Sequence, residues 1–327
     1  MTVLVTGGAG FIGSHFVKRL AAAGEDVVVL DKLTYSGNLR NLEGVDHRFV
    51  HGDICNRAMV AEAAKGCEAI VNFAAETHVD RSILEAGDFI ETDVYGTHVL
   101  LEHVRAHDLR FVQVSTDEVY GDIEGESRSG ENDPLRPSSP YSASKAGGDL
   151  QVLAYVRTYG VNASISRGAN TYGPNQYPEK LIPLFVTNAF DAEKLPVYGD
   201  GRQVREWLHV DDHCAGIESV LREGRAGEIY NIGGEERENL DVVARIVELT
   251  GASPSLIQHV EDRPGHDRRY ALDDRKLRAL GWKPSRSFED GLAATVDWYR
   301  DHREWWEPLK SGEYRKYYEQ QYAARLG

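Results

Sequence analysis

Cysteine is scarce. Cys55, Cys67 and Cys214 are the whole complement, and no two of them stand as C-x-x-C. That excludes a disulfide framework and a cysteine zinc site, and it suits a reducing compartment. Positive charge is also short: 37 Lys and Arg face 52 Asp and Glu, for a net charge of −15. So acidic a chain repels phosphodiester backbones, so nucleic acid is not an expected partner. No apolar run approaches membrane-spanning length. The chain starts with a strand-like run, Thr2-Val3-Leu4-Val5, and lacks the charged start and small-residue cleavage pattern of a secretory leader. The expectation is a globular, cytoplasmic protein, and 327 residues suffice for one large or two modest domains.

What is present alternates. Strand patterns fall at 2–6, 26–31, 47–54, 68–75 and 110–116. Helical spacing fills 11–24, 57–66 and much of 83–107. Near-continuous apolar strands between helices predict a parallel sheet covered on both faces, an α/β fold of the doubly wound kind. From about residue 167 the pattern loosens into Pro- and Tyr-rich stretches, then helical spacing returns at 241–251 and 288–302. The division expected is a first domain over 1–166 with a returning segment at about 204–233, and a smaller second domain over 167–203 and 234–327.

TGGAGFIG (6–13) lies between the first strand and the first helix. Gly7 permits a tight turn, Gly10 lets backbone approach a pyrophosphate, and Gly13 allows close helix–strand packing. A glycine triplet alone is an ordinary turn. Here a helix N-terminus follows, ready for phosphate, and Asp31 ends the next strand, where a carboxylate bonds a ribose hydroxyl and repels a 2′-phosphate. The expected ligand is therefore NAD rather than NADP. Asp53 and Ile54, after the third strand, either flank the adenine or form a simple turn.

YSASK (141–145) places Tyr141 and Lys145 at i and i+4, on one helix face. A nearby ammonium favours phenolate, and such a tyrosine takes a proton from a sugar hydroxyl as hydride leaves. Ser115 or Thr116 is placed to share that hydroxyl. As an isolated spacing this is a common surface pair; after a dinucleotide turn it is more specific. TDEVYG (116–121) then sets Asp117 and Glu118 at the end of an apolar strand, where lost solvation is costly unless the carboxyls are used or paired.

Together these motifs resemble the extended short-chain dehydrogenases that modify nucleotide sugars. AAETHVDRSI (74–83), YPEKLIP (177–183), PVYGDGRQVREWLHVDDH (196–213), YNIGG (230–234) and DRPGHDRRYA (262–271) resemble the dTDP-glucose 4,6-dehydratase branch. The resemblance implies a Rossmann domain with a smaller nucleotide-sugar domain, and NAD as a regenerated cofactor. It implies oxidation at C4 of dTDP-glucose, water loss across C5 and C6, and hydride return to C6. Asp117 is then the acid and Glu118 the base, beside Thr116, Tyr141 and Lys145. Gly7, Gly10, Phe11, Ile12, Gly13, Asp31, Asp53, Ile54, Phe73, Ala74 and Ala75, with Tyr141 and Lys145, would hold NAD. Arg205, Arg263 and His266 suit a diphosphate. Asn170, Lys180 and Leu181 would line the nucleotide site, and Pro196, Tyr198 and Asn231 would hold base and ribose. His78 and Arg81 would meet sugar or nicotinamide. The alternatives are a 4-epimerase, or a dehydratase of another nucleotide sugar. Family members have Ser-Asn-Asn before the tyrosine of the 167–174 stretch; this chain has Ala169, Asn170 and Thr171, which bears on sugar or base preference. The resemblance also implies a homodimer built on the helix after Ser82 and the helix starting at Tyr141, with Val99, Leu100, Val104, Leu150, Leu153 and Val156 either facing a partner or packing on their own sheet.

Overall fold

A computed structural model describes residues 1–326. Its larger sheet is built from β1 (Thr2–Thr6), β2 (Asp26–Asp31), β3 (Arg48–His51), β4 (Ala69–Asn72), β5 (Arg110–Thr116), β6 (Ala163–Gly168) and a late strand at Ile229–Ile232. The spatial order is late strand, β6, β5, β4, β1, β2, β3, and every pairing is parallel. Alternation within the apolar runs assigns the two faces. Val3, Val5, Val27 and Val29 share one buried cluster with Phe16 of α1 (Phe11–Ala22). Leu4, Val28, Leu30 and Ile70 share another with Val60 of α2 (Arg57–Ala63). Both faces are covered, as continuous apolar strands require. Strand order reverses between β1 and β4, which opens a crevice at their carboxyl ends.

The long helix expected over 83–107 is broken. It consists of α3 (Val79–Leu84), α4 (Gly87–Ile90), a π-helical turn over Glu91–Gly96 and α5 (Thr97–His107). At Gly96 a Cβ would meet Ile54 Cδ1 at 2.5 Å, so the segment approaches the turn after β3 more closely than a side chain permits. The helix α6 (Pro140–Tyr159) is uninterrupted. Ser139 and Ser142 cap it reciprocally, Pro140 occupies its first turn, and Gly160 ends it in a left-handed conformation.

The second layer holds a sheet of β7 (Asn170–Tyr172), β9 (Val204–His209) and β11 (Glu235–Glu238), in the order β11-β9-β7. A parallel pair, β8 (Leu195–Tyr198) and β12 (Ile257–Val260), lies beside it. The helices α7 (Leu181–Phe190), Asn239–Thr250 and Phe288–Asp301 close a separate core around Ile182, Phe185, Val243, Ile246, Leu292 and Val296. β9 is the middle strand of the small sheet, so the chain returns to the large sheet from Val210 rather than Val204. It does so through α8 (Val210–Glu223) and then β10, the Ile229–Ile232 strand. Among the described residues no helix is long and apolar enough to cross a membrane.

Val99, Leu100 and Val104 are buried in the chain's own core, at 2%, 0% and 1% exposure. Of the six residues named for a partner surface, Leu150 is the one that stands out to solvent, at 56% exposure. The exposed large apolar side chains of α4, the π turn and α6 are instead Ile90, Tyr95, Leu150 and Tyr159; Leu150 and Tyr159, nine positions apart, lie on opposite sides of α6.

Candidate active site

The glycine-rich turn forms a cradle that only glycine fits. Gly7 has φ +67°, and a Cβ on it would meet Ala74 N at 2.7 Å. A Cβ on Gly13 would meet Gly7 O at 2.3 Å. Gly10 leads into α1 without a side-chain cap, so the first amides of this helix face the crevice unpaired by a side chain. Asp31 ends β2 and accepts from the N–H groups of Ala9 (2.9 Å) and Leu33 (2.8 Å). It therefore ties the turn to the sheet and keeps lone pairs for a ribose hydroxyl; burial raises its pKa against those two bonds. Asp53 pairs with Lys32 Nζ at 2.9 Å and accepts from Cys55 N–H at 2.8 Å. A cleft of about 340 Å³ is lined by all of these except Ala9, Leu33 and Cys55, by Phe11, Ile12, Ile54 and Phe73–Ala75, and also by Thr116, Asp117, Glu118, Tyr141 and Lys145. Its lining of glycine, one strand-end carboxylate and a helix N-terminus fits a dinucleotide.

β5 delivers Thr116, which caps a 3-10 turn over Asp117–Tyr120. The Thr116 hydroxyl donates to Asp117 Oδ1 (3.0 Å) and accepts from Glu118 N–H (3.3 Å). Asp117 is 3% exposed, and its Oδ2 has no partner. Burial, then the adjacent Glu118, push its pKa up to about 8. Glu118 is also raised by burial, but Arg263, Lys180 and Arg205 all pull it back towards the anion. Adjacent in the chain, the two carboxyls thus face different surroundings: Asp117 keeps a proton at neutral pH, while Glu118 looks into positive charge.

Lys145 is 5% exposed and donates from Nζ to the Val114 carbonyl at 2.9 Å. The Tyr141 amide is held by Ser82 Oγ at 3.1 Å. The phenol of Tyr141 does not show the depression that the spacing predicts. Burial raises it well above the ordinary value, and Glu118, Asp93 and Asp117 add to the rise. Three carboxyls crowd the phenol, and a lysine spent on a strand carbonyl does not offset them.

A second cleft of about 150 Å³ opens from the first, and Glu118, Asn170, Lys180 and Trp207 line both. Its walls bring together Leu181, Pro196, Tyr198, Arg205, Arg263 and His266. Arg205 is held by the carbonyls of Val204 (2.8 Å) and Asp267 (2.8 Å), with its guanidinium carbon 4.3 Å from the centre of the Tyr270 ring. Arg263 bonds Asp80 Oδ1 at 3.1 Å and leaves Nε buried without a partner. Tyr198 donates to Asp80 Oδ2 at 2.9 Å. His266 bonds Asp262 at 2.6 Å; burial and Arg263 lower it to about 4, so it is neutral at physiological pH. This acidic chain has thus gathered three cations at one cleft, an arrangement suited to a diphosphate.

Three predicted residues are spent inside the fold. Arg81 lines neither cleft; it donates to Glu179 at 2.9 Å and lies between the rings of Tyr35 (3.7 Å) and Tyr317 (4.3 Å). Asn231 also lines neither cleft: it is 0% exposed, donates to the Ser129 and Asp273 carbonyls, and accepts from Tyr120. His78 does line the second cleft, but its Nδ1 accepts from Asp80 N–H (3.2 Å) and its Nε2 contacts the Glu179 carbonyl (3.1 Å). Sequence reasoning missed Trp207, Gln176, His213 and Asn239. Each lines a cleft and carries a buried side-chain atom without a partner: Trp207 Nε1, Gln176 Oε1, His213 Nε2 and Asn239 Oδ1. Asn170 Oδ1 is in the same condition. Buried polar atoms are rarely left unpaired, so their convergence marks where a polar ligand belongs. No local signal betrays them: an Asn opening a helix reads as a cap, and a lone Trp or His reads as core.

Ala169 and Thr171 line the first cleft and not the second. With Gly168 paired opposite Thr116, they sit beside the reacting end of the site, and they share no cleft with Arg205, Arg263 or Tyr198.

The family profile described as GDP-mannose 4,6 dehydratase matches residues 4–295. A dTDP-glucose 4,6-dehydratase of Streptomyces niveus is 54% identical over 324 residues, covering 95% of this chain and 96% of that protein. The low-salt glycan biosynthesis protein Agl12 of Haloferax volcanii is 54% identical over 306 residues, covering 91% and 98%. Among solved structures, DesIV of Streptomyces venezuelae, a dTDP-glucose 4,6-dehydratase with NAD bound, superposes with a TM-score of 0.93 at 55% identity, covering 95% of this chain and all of that one.

Proposed function

The chain belongs to the GDP-mannose 4,6 dehydratase family, within the extended short-chain dehydrogenases, and on that premise we propose how it works as an NAD-dependent dTDP-glucose 4,6-dehydratase. The observation that carries the reading is the carboxyl pair at the end of β5: Asp117 is buried with Oδ2 unpartnered, which favours its protonated form, while Arg263, Lys180 and Arg205 draw Glu118 towards the anion. An epimerase needs no acid–base pair of this kind; elimination of water does.

The larger sheet holds the dinucleotide and the smaller layer holds the nucleotide of the substrate. Arg205, Arg263 and Lys180 neutralise the diphosphate, while Pro196, Tyr198, Leu181 and Asn239 receive base and ribose. This sets the hexose at the junction of the clefts, where Glu118 and Asn170 line both. NAD held by this cleft would supply the acceptor for the C4 hydride and the donor that restores it to C6. Tyr141 takes the C4 hydroxyl proton, with Thr116 holding the same oxygen and Lys145 fixed beneath. The C4 ketone acidifies C5; Glu118 removes that proton, and Asp117 gives its own to the C6 hydroxyl, which departs as water. The free thiols of Cys55, Cys67 and Cys214 agree with work in a reducing cytoplasm.

Incubation with a panel of nucleotide sugars in deuterated water, read by product mass, tests the reading. The expected result is loss of one water from dTDP-glucose, with one carbon-bound deuterium. An isomer of unchanged mass would overturn it in favour of epimerisation.

A second copy covers the exposed Ile90, Tyr95 and Leu150, giving a homodimer. Leu150→Glu is expected to shift the sedimentation coefficient from dimer to monomer, because it sets a charge inside that apolar contact. A wild-type chain that sediments as a monomer would contradict the proposal.

A further inference from the structure

His213, on α8, is 2% exposed and lines the wall of the dinucleotide cleft. Its imidazole packs on Gly168: a Cβ there would meet His213 Nε2 at 2.3 Å and Cε1 at 2.4 Å. The Gly168 position therefore leaves room for the ring edge at the end of β6. On the other side of the ring, Nδ1 lies 2.7 Å from Thr171 Oγ1. That hydroxyl also lies 3.1 Å from the Ala169 carbonyl, which can only accept. The hydroxyl proton goes to Ala169, so the hydroxyl accepts from Nδ1–H. This leaves Nε2 a bare lone pair, and Nε2 has no partner in the protein. Burial alone, with no charged neighbour contributing, lowers the imidazole to about 4, so the tautomer is not disturbed by protonation near neutrality.

A buried acceptor without a partner calls for a donor from the ligand. The position along the cleft identifies which donor. Gly168 ends β6 opposite Thr116, the last residue of β5, and Ala169 and Thr171 come directly after it, so all three adjoin the reacting end. Asp31 ends β2 and Asp53 follows β3, which lie beyond β4 and β1 from β5 and β6 in the strand order, so they mark the opposite end of the cleft. At the reacting end, NAD offers one N–H donor group, the carboxamide of the nicotinamide. Resting on the dinucleotide reading above, we propose that His213 Nε2 accepts a hydrogen bond from that carboxamide, with Thr171 as the positioning residue that fixes the tautomer.

The test compares equilibrium binding, without sugar substrate, of NAD and of 3-acetylpyridine adenine dinucleotide, in which a methyl ketone replaces the carboxamide and removes its N–H donors. The wild-type chain is expected to prefer NAD roughly tenfold, the worth of one buried hydrogen bond. His213→Leu should bring the preference close to one. His213→Gln, whose amide oxygen is an acceptor at similar reach, should restore part of it. Thr171→Val empties no part of the ring's site, so it covers the case in which His213→Leu does not fold; it should lower the preference severalfold by freeing the tautomer. A preference unchanged in His213→Leu and Thr171→Val would overturn the inference while leaving NAD binding intact, and would assign Nε2 to a hydroxyl of the sugar. A chain that binds neither dinucleotide would overturn the dinucleotide reading, and this inference with it.

Discussion

Glu118→Gln is expected to stop water loss while sparing oxidation at C4. The amide keeps the shape of the side chain and removes the lone pair that takes the C5 proton. Loss of a positioned general base costs on the order of 10²–10⁴-fold in turnover. Oxidation at C4 depends on Tyr141, Thr116 and Lys145, which the substitution leaves in place. One indirect effect favours that first step: Glu118 is the leading charged contributor to the raised Tyr141 phenol. Removing its charge makes the phenol a readier acid and so a less hindered phenolate. Two measurements separate the steps. Deuterium uptake at C5 should fall with turnover, and quenching with borodeuteride should still place deuterium at C4. Normal water loss in this variant would remove Glu118 from the mechanism.

The second large effect concerns Asp117, in both rate and pH dependence. Its active form is the protonated one, because it must give a proton to the C6 hydroxyl. Burial and Glu118 raise it to about 8, so activity is expected to fall as pH rises through about 8. Glu118 is active as the anion, and burial raises it above the ordinary glutamate value, so the acid limb should begin above the ordinary carboxylate range. The predicted profile of kcat/KM against pH is a bell whose alkaline limb belongs to Asp117. Asp117→Asn should lower turnover on the order of 10²–10⁴-fold, since an amide has no proton to give. Stability should move the other way. A carboxyl raised in the folded state stabilises the fold least where it must be charged, so folding loses stability as pH rises from the usual aspartate range towards 8. Asn carries no charge, so at pH 9 the variant should unfold at a higher temperature than the parent. An alkaline limb that survives in a partly active Asp117→Asn variant would assign that limb to another group.

Much of this site is local in sequence, and that part was legible. The turn at Gly7–Gly13, the carboxylate ending β2, the Tyr141–Lys145 spacing and the carboxyl pair after β5 are all set by residues a few positions apart. Near-continuous apolar runs between helices likewise announced a parallel sheet covered on both faces, because such strands must bury both sides. Where several distant segments add up, the chain alone was silent. Lys180, Arg205 and Arg263 come from three separate stretches, and together they decide which of two adjacent carboxyls keeps its proton. The same summation reversed the expectation for Tyr141, whose phenol is raised by burial first and then by Glu118, Asp93 and Asp117. Arg81 and Asn231 looked like ligand contacts within matched motifs, yet partners far along the chain hold them inside the fold. His213 and Asn239 carried no signal, because an unpaired atom shows itself only when all its neighbours are in place. Sequence thus determined the backbone scaffold and the identity of the reacting groups, which depend on short-range pattern. Tertiary structure decided their protonation and which polar atoms remain for a ligand, because burial and charge are sums over residues that only folding brings together.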